Sequence, residues 1–310
     1  MAGAYTHISI IRLLSVACKL EAVPGLNSEI IPYILEYPQF CELGAVSPDY
    51  PLLHLGNSGS KPWSDRMHYE KTAEPIHAGL RRIKNMPEAK RPPLIAWLLG
   101  YLSHYTVDLV IHPVIEAKVG LYEKAPTDHR LLEMYHDAFT FSLLNFGSID
   151  VAELIESGIK RCSTHAGTLD RDLTVFWSDI LSEVYPKAFQ KSRPQIEGWH
   201  SYYTGLIDNG AEESEKIPPY SGWLWKLFGL VYPKLEEVTD EHLKGLPTPE
   251  GKMDYKPILD RAIDQTAKNW AAFSQALVGD SSQLQEILGN WDMGTGKADQ
   301  VSFVYWKGAI

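Results

Sequence analysis

Hydrophobic positions along this chain recur mostly at helical spacing. From His7 to Leu20 the apolar residues fall at 8, 10, 11, 13, 14, 16 and 17, a wide stripe suited to a helix buried in a core. Val23-Pro24-Gly25 ends that stripe, and Glu29 to Leu35 reads as a short helix finishing before Pro38. Residues 44–66, rich in Pro, Gly and Ser, read as a long ordered loop carrying Asp49. The next helix is expected from His68 to Lys84, with Pro75 as a kink or break. Another follows from Leu94 to about His112, after Pro92-Pro93 and ending or bending at Pro113. Thr127 or Asp128 can cap a helix from Asp128 to Asn145. Downstream, helices are expected near 149–161, 168–190, 194–208, 221–229, 254–278 and 281–289. Few segments alternate as strands do, so the expected fold class is all-α: a helical core over 1–145, with a helical extension over 146–310 packed on it as one continuous unit.

Composition narrows the functional classes. At 310 residues and 45% hydrophobic content the chain can bury a large core. Cys18, Cys41 and Cys162 form neither a disulfide framework nor a thiolate zinc motif, which suits a reducing compartment. The amino-terminal residues lack the basic and apolar regions of a secretory signal, so a cytoplasmic location is expected. The longest apolar run, Leu94 to Leu102, is shorter than the about 20 residues that a membrane span requires. A net charge of −10 argues against nucleic acid as a partner.

Eight of the eleven histidines precede residue 137. Among them, His104-x-x-x-Asp108-x-x-x-His112 and His129-x-x-x-Glu133 repeat at four residues, which puts each pair on one helical face. With His7, Asp49 and His68 they make a set of imidazole and carboxylate donors without thiolate, a composition suited to hydrolytic Zn²⁺ or a similar divalent ion.

Five segments in order resemble the zinc-dependent phospholipase C family, which includes glycosylphosphatidylinositol-specific phospholipase D and is related to fungal single-strand nucleases. They are Ala2-Gly3-Ala4-Tyr5-Thr6-His7-Ile8, Gly44-Ala45-Val46-Ser47-Pro48-Asp49, Trp63-Ser64-Asp65-Arg66-Met67-His68, the stretch from Leu99 to Asp108, and His129-Arg130-Leu131-Leu132-Glu133. The resemblance implies an all-helical phosphoesterase holding two to three Zn²⁺ ions, acting on a phospholipid head group or a small phosphate ester. It implies that Asp49, His68, His104 and Asp108 hold one zinc, that Asp108 bridges to a second bound by His7, and that His112, His129 and Glu133 hold a third. The four-residue step from Asp108 to His112 is shorter than in the secreted bacterial members.

Bound divalent ions would lower the pKa of water towards neutral and offset charge on the phosphoryl oxygens. Asp49 is the candidate catalytic proton acceptor. Other features read less sharply. His54 and His77 read as loop or surface residues, and His136-Asp137 as an isolated His-Asp pair. Glu74-x-x-His77 and Glu133-x-x-His136 admit a ferritin-like di-iron oxidase, although Pro75 falls inside the first pair. A metal-binding module of the same fold without turnover is a third reading. The aromatic run from Tyr220 to Tyr232 reads as core or a substrate, lipid or partner surface, and Trp291 to Trp306 as a loop over the site.

Overall fold

The structure is a computed structural model describing residues 3–54, 59–122, 124–144, 158–213, 233–279, 281–299 and 301–306. Its helices in chain order begin with α1 (Ala4–Leu14), α2 (Ala17–Glu21), α3 (Ile31–Glu36), α4 (Pro38–Val46) and α5 (Tyr50–Leu53). They continue with α6 (Lys61–Tyr69), α7 (Glu74–Asn85), α8 (Arg91–Val119), α9 (Pro126–Ser142), α10 (Arg171–Val184) and α11 (Pro186–Lys191). The last are α12 (Ile196–Glu213), α13 (Asp240–Leu243), α14 (Tyr255–Val278) and α15 (Ser282–Ile287). A single antiparallel pair, β1 (Leu246–Thr248) with β2 (Gly251–Met253), is the only sheet among the described residues, so the fold is all-α.

The centre of the fold is α8. It is apolar on all sides, as a helix surrounded by neighbours must be: every residue from Leu94 to Ile115 is buried. The stretch Glu88–Val119 is long and apolar enough to cross a bilayer, and its most apolar window is wholly buried by the surrounding helices. Helix α4 crosses α8 at backbone distance. A methyl group built on Gly44 would lie 1.9 Å from the Trp97 carbonyl oxygen, and one on Gly100 would lie 1.9 Å from that of Cys41. Glycine at both positions is therefore what permits the crossing. On another side α14 packs against α8, where Trp270 Nε1 donates to the Leu99 carbonyl at 2.9 Å and Asn269 Nδ2 donates to Thr106 Oγ1 at 2.8 Å. One cluster of buried apolar side chains extends from Tyr5 to Trp306.

Several expected boundaries differ from those observed. The first apolar stripe is two helices, because Ser15 leaves helical geometry and Val16 is extended. Most of the expected 44–66 loop is helical, with Asp49 closing a 3-10 turn, Ser47–Asp49, between α4 and α5. The expected helix from His68 to Lys84 is instead α6 and α7, separated where Glu70 is extended and Lys71 adopts φ +52°. Pro75 occupies the first turn of α7, where its missing N–H costs nothing, so it starts a helix and breaks none. Pro113 neither ends nor stops α8, which runs six residues further to Val119. Tyr255–Val278 and Ser282–Ile287 coincide closely with the helices expected at 254–278 and 281–289. The aromatic run 220–232, the helix expected at 221–229 and most of that at 149–161 lie outside the described residues.

Candidate metal centre

Four histidine rings and two carboxylates converge where α1, the Asp49 turn, α6 and α8 meet. His68 Nε2 lies 3.2 Å from Asp49 Oδ1, 3.2 Å from His104 Nε2 and 3.6 Å from Asp108 Oδ2. His104 Nε2 lies 3.2 Å from Asp108 Oδ2. The other oxygen, Asp108 Oδ1, lies 3.3 Å from His7 Nε2 and 3.3 Å from His112 Nε2. Asp108 thus faces His68 and His104 with one oxygen and His7 and His112 with the other. All six residues are buried, Asp49 being the most exposed at 7%.

The protons on these rings are set by their outer nitrogens. His68 Nδ1 donates to the Ser64 carbonyl at 2.8 Å, His104 Nδ1 to the Ala45 carbonyl at 2.8 Å, and His112 Nδ1 to the Gly294 carbonyl at 3.1 Å. A carbonyl only accepts, so each of these nitrogens carries a ring proton and Nε2 is the atom each ring turns inward. Burial, outweighing the attraction of Asp108, pushes the His112 ring down to about 3, which keeps it neutral. Burial also opposes ionisation of both carboxyls but is overcome. Asp49 stays below the usual carboxylate range and Asp108 well below it.

The result is a pocket of acceptors facing acceptors. Both ring nitrogens of His7 and Nε2 of His112 have no hydrogen-bond partner of acceptable geometry, an arrangement that is costly unless something positive sits among them. Zinc fits. Tetrahedral ligands about 2.0–2.1 Å from a zinc ion stand about 3.3 Å from one another, close to the 3.2–3.6 Å separations around His68, His104 and Asp108. Two donor groups, His7 with His104 and Asp108, and Asp49 with His68 and His104, each place their ligand atoms within 4.8 Å of one another.

His129 and Glu133 join neither group among the described residues. Both are buried on α9, where His129 Nε2 donates to the Gly120 carbonyl and burial raises the Glu133 carboxyl. Arg130 Nη1 stands 3.7 Å from Glu133 Oε2. His136 and Asp137 face different partners. His136 stacks on Tyr255 at 3.8 Å and donates from Nε2 to the His242 carbonyl, whereas Asp137 caps α1. Asp137 Oδ1 accepts the Thr6 N–H at 2.7 Å and Oδ2 the Tyr5 N–H at 3.3 Å, in place of a side chain from Gly3, and so holds the turn that carries His7. His77 lies on α7 near the Leu288 carbonyl, and His54 meets Ser60 and Tyr202.

Sequence reasoning did not find the capping role of Asp137, the carbonyls of Ser64, Ala45 and Gly294, or the glycine pair at the α4–α8 crossing. Only Gly100 carried a readable signal, as a small residue in an otherwise apolar helix.

A family model for zinc-dependent phospholipase C matches residues 6–187, more than half of the chain. The chain belongs to the zinc-dependent phospholipase C family. No curated protein and no solved structure matches it. The span shared with the phospholipase C family contains all six converging donors as well as His129 and Glu133. It ends before Gly294, whose carbonyl orients His112. Family membership and the two donor groups together support a metal-dependent, phospholipase C-like function with zinc as the metal.

Proposed function

We propose that the protein is a phosphoesterase that hydrolyses a phosphate mono- or diester, its substrate being a phospholipid head group or a small phosphorylated molecule. The observation that carries this reading is the convergence of inward-facing imidazole lone pairs on two ionised carboxylates. Asp49, His68, His104 and Asp108 would hold one zinc, and His7, Asp108 and His112 a second. His129 and Glu133, four apart on α9, are the pair for a third, with His129 Nδ1 as the free donor atom because Gly120 occupies Nε2. Bound zinc supplies Lewis acidity, lowering the pKa of water and offsetting charge on phosphoryl oxygens.

The protein's own groups do the rest. Asp49, ionised and the most exposed of the six, takes the proton of the attacking water at its carboxylate. The Ser64, Ala45 and Gly294 carbonyls hold their rings in the deprotonated-Nε2 tautomer. The test is metal content followed by chromogenic phosphate monoesters, phosphate diesters and phosphatidylcholine vesicles. Cleavage of any one that is abolished by chelation and restored by zinc is the expected outcome. Whole-number zinc with no ester cleaved overturns the reaction class.

A further inference from the structure

We infer that the carboxyl-terminal strap, residues 289–299 with 301–306, is a working part of the metal centre: it positions His112 so that its Nε2 meets Asp108 Oδ1 beside His7. This rests on reading the six donors as cation ligands. His68 is oriented by a carbonyl one turn earlier on its own helix, and His104 by one from the adjoining α4. The carbonyl that orients His112 comes from Gly294, 182 residues away and beyond the span shared with the family.

The strap is tied down on both flanks of the pocket. Met293 N–H donates to the His68 carbonyl at 3.0 Å, and Thr72 Oγ1 donates to the Trp291 carbonyl at 2.7 Å. On the α8 side Tyr105 Oη donates to the Gly289 carbonyl at 2.7 Å, and Trp306 Nε1 to that of Val110 at 3.2 Å. Between these ties the chain turns tightly: Gly296 N–H reaches the Asp292 carbonyl at 2.8 Å and the Asp292 carboxylate accepts Thr295 N–H at 3.0 Å. Gly296 completes that turn at φ +69°, where a methyl group would lie 2.3 Å from Pro113 Cγ. Only glycine suits both demands. The turn is thus seated on the residue that follows His112, with its Gly294 carbonyl on the His112 ring. Release of the strap frees the ring to rotate away from Asp108.

The experiment is zinc binding by calorimetry, with bound metal counted after dialysis, for wild type, Gly296→Ala, Thr72→Val, His112→Ala and the Gly296→Ala/His112→Ala double variant. Thr72→Val loosens the strap without introducing a clash and keeps the test intact if Gly296→Ala does not fold. Both strap variants are expected to weaken one class of zinc site by about 10–100-fold, as loss of a ligand's orienting partner does, and to leave another class at wild-type affinity. His112→Ala should weaken the same class, and the double variant should lose nothing further. Strap variants that bind like wild type, weakening of all classes together, additive losses in the double variant, or a single class in the wild type each overturn the inference. A wild-type protein that binds no zinc overturns the phosphoesterase reading itself.

Discussion

Replacing Asp137 with Asn isolates the cost of ionising a helix cap in the interior. The carboxylate is fully buried and accepts the Thr6 and Tyr5 amides, yet burial outweighs those bonds and lifts it from its ordinary 3.8 to about 6. A carboxyl whose folded value is raised stabilises the fold fully below its unfolded value, and that stability is lost as pH rises through the folded value. A rise from 3.8 to about 6, at about 1.4 kcal/mol per pH unit, amounts to about 3 kcal/mol in total. About 2 kcal/mol of it falls between roughly pH 4 and pH 7. Asn has a similar shape and retains an oxygen acceptor, but does not titrate. The measurement is urea unfolding of zinc-free wild type and Asp137→Asn across that range. Every other titrating group is common to the two proteins and cancels. The stability of wild type relative to the variant should fall by about 2 kcal/mol on going from pH 4 to pH 7. Parallel stability curves would refute the assignment of Asp137 as a buried, titrating cap.

Three further outcomes follow from the geometry. Asp108→Asn removes the charge shared by His7, His68, His104 and His112; zinc affinity should fall by more than about 100-fold, beyond a typical orienting-partner loss, and turnover with it, and near-normal zinc content would contradict the bridging role. Gly44→Ala or Gly100→Ala places a methyl 1.9 Å from a carbonyl oxygen on the facing helix; each should cost at least the about 1–3 kcal/mol of an overpacked core, and a wild-type urea midpoint for either would show that the helices are not held by that contact. Removing zinc with a chelator should lower the thermal midpoint, since a ligand at about 1,000 times its Kd contributes about 4 kcal/mol; an unchanged midpoint would mean that folding and metal binding are uncoupled.

The all-α class and the meeting of the first four of the five ordered segments were legible because both rest on side chains, whereas His129 and Glu133 of the fifth join neither donor group among the described residues. Four-residue spacing put His104, Asp108 and His112 on one face, and the structure aims all three at one place. Less legible was what proline does. Pro75 and Pro113 have the same side chain, yet one opens a helix and the other rides inside one, and tertiary packing decides which. Asp49 was read into a loop from its Pro, Gly and Ser neighbours, whereas Pro48 and Pro51 sit in the first turns of short helical segments, where that residue is welcome. The neighbours that orient the rings were out of reach. The carbonyls of Ser64, Ala45 and Gly294 belong to the backbone, which every residue has, so no residue type announces them.

Three of the six converging donors are carried by one rod. His104, Asp108 and His112 are spaced by the rise of α8, about 6 Å per four residues, and the rod is walled in along its whole donor-bearing length. A rail of that kind has no give: the interval between the anchors on α8 is fixed by the helix itself. The seat that the proposed cations would occupy therefore keeps the same dimensions whatever the remaining three donors do.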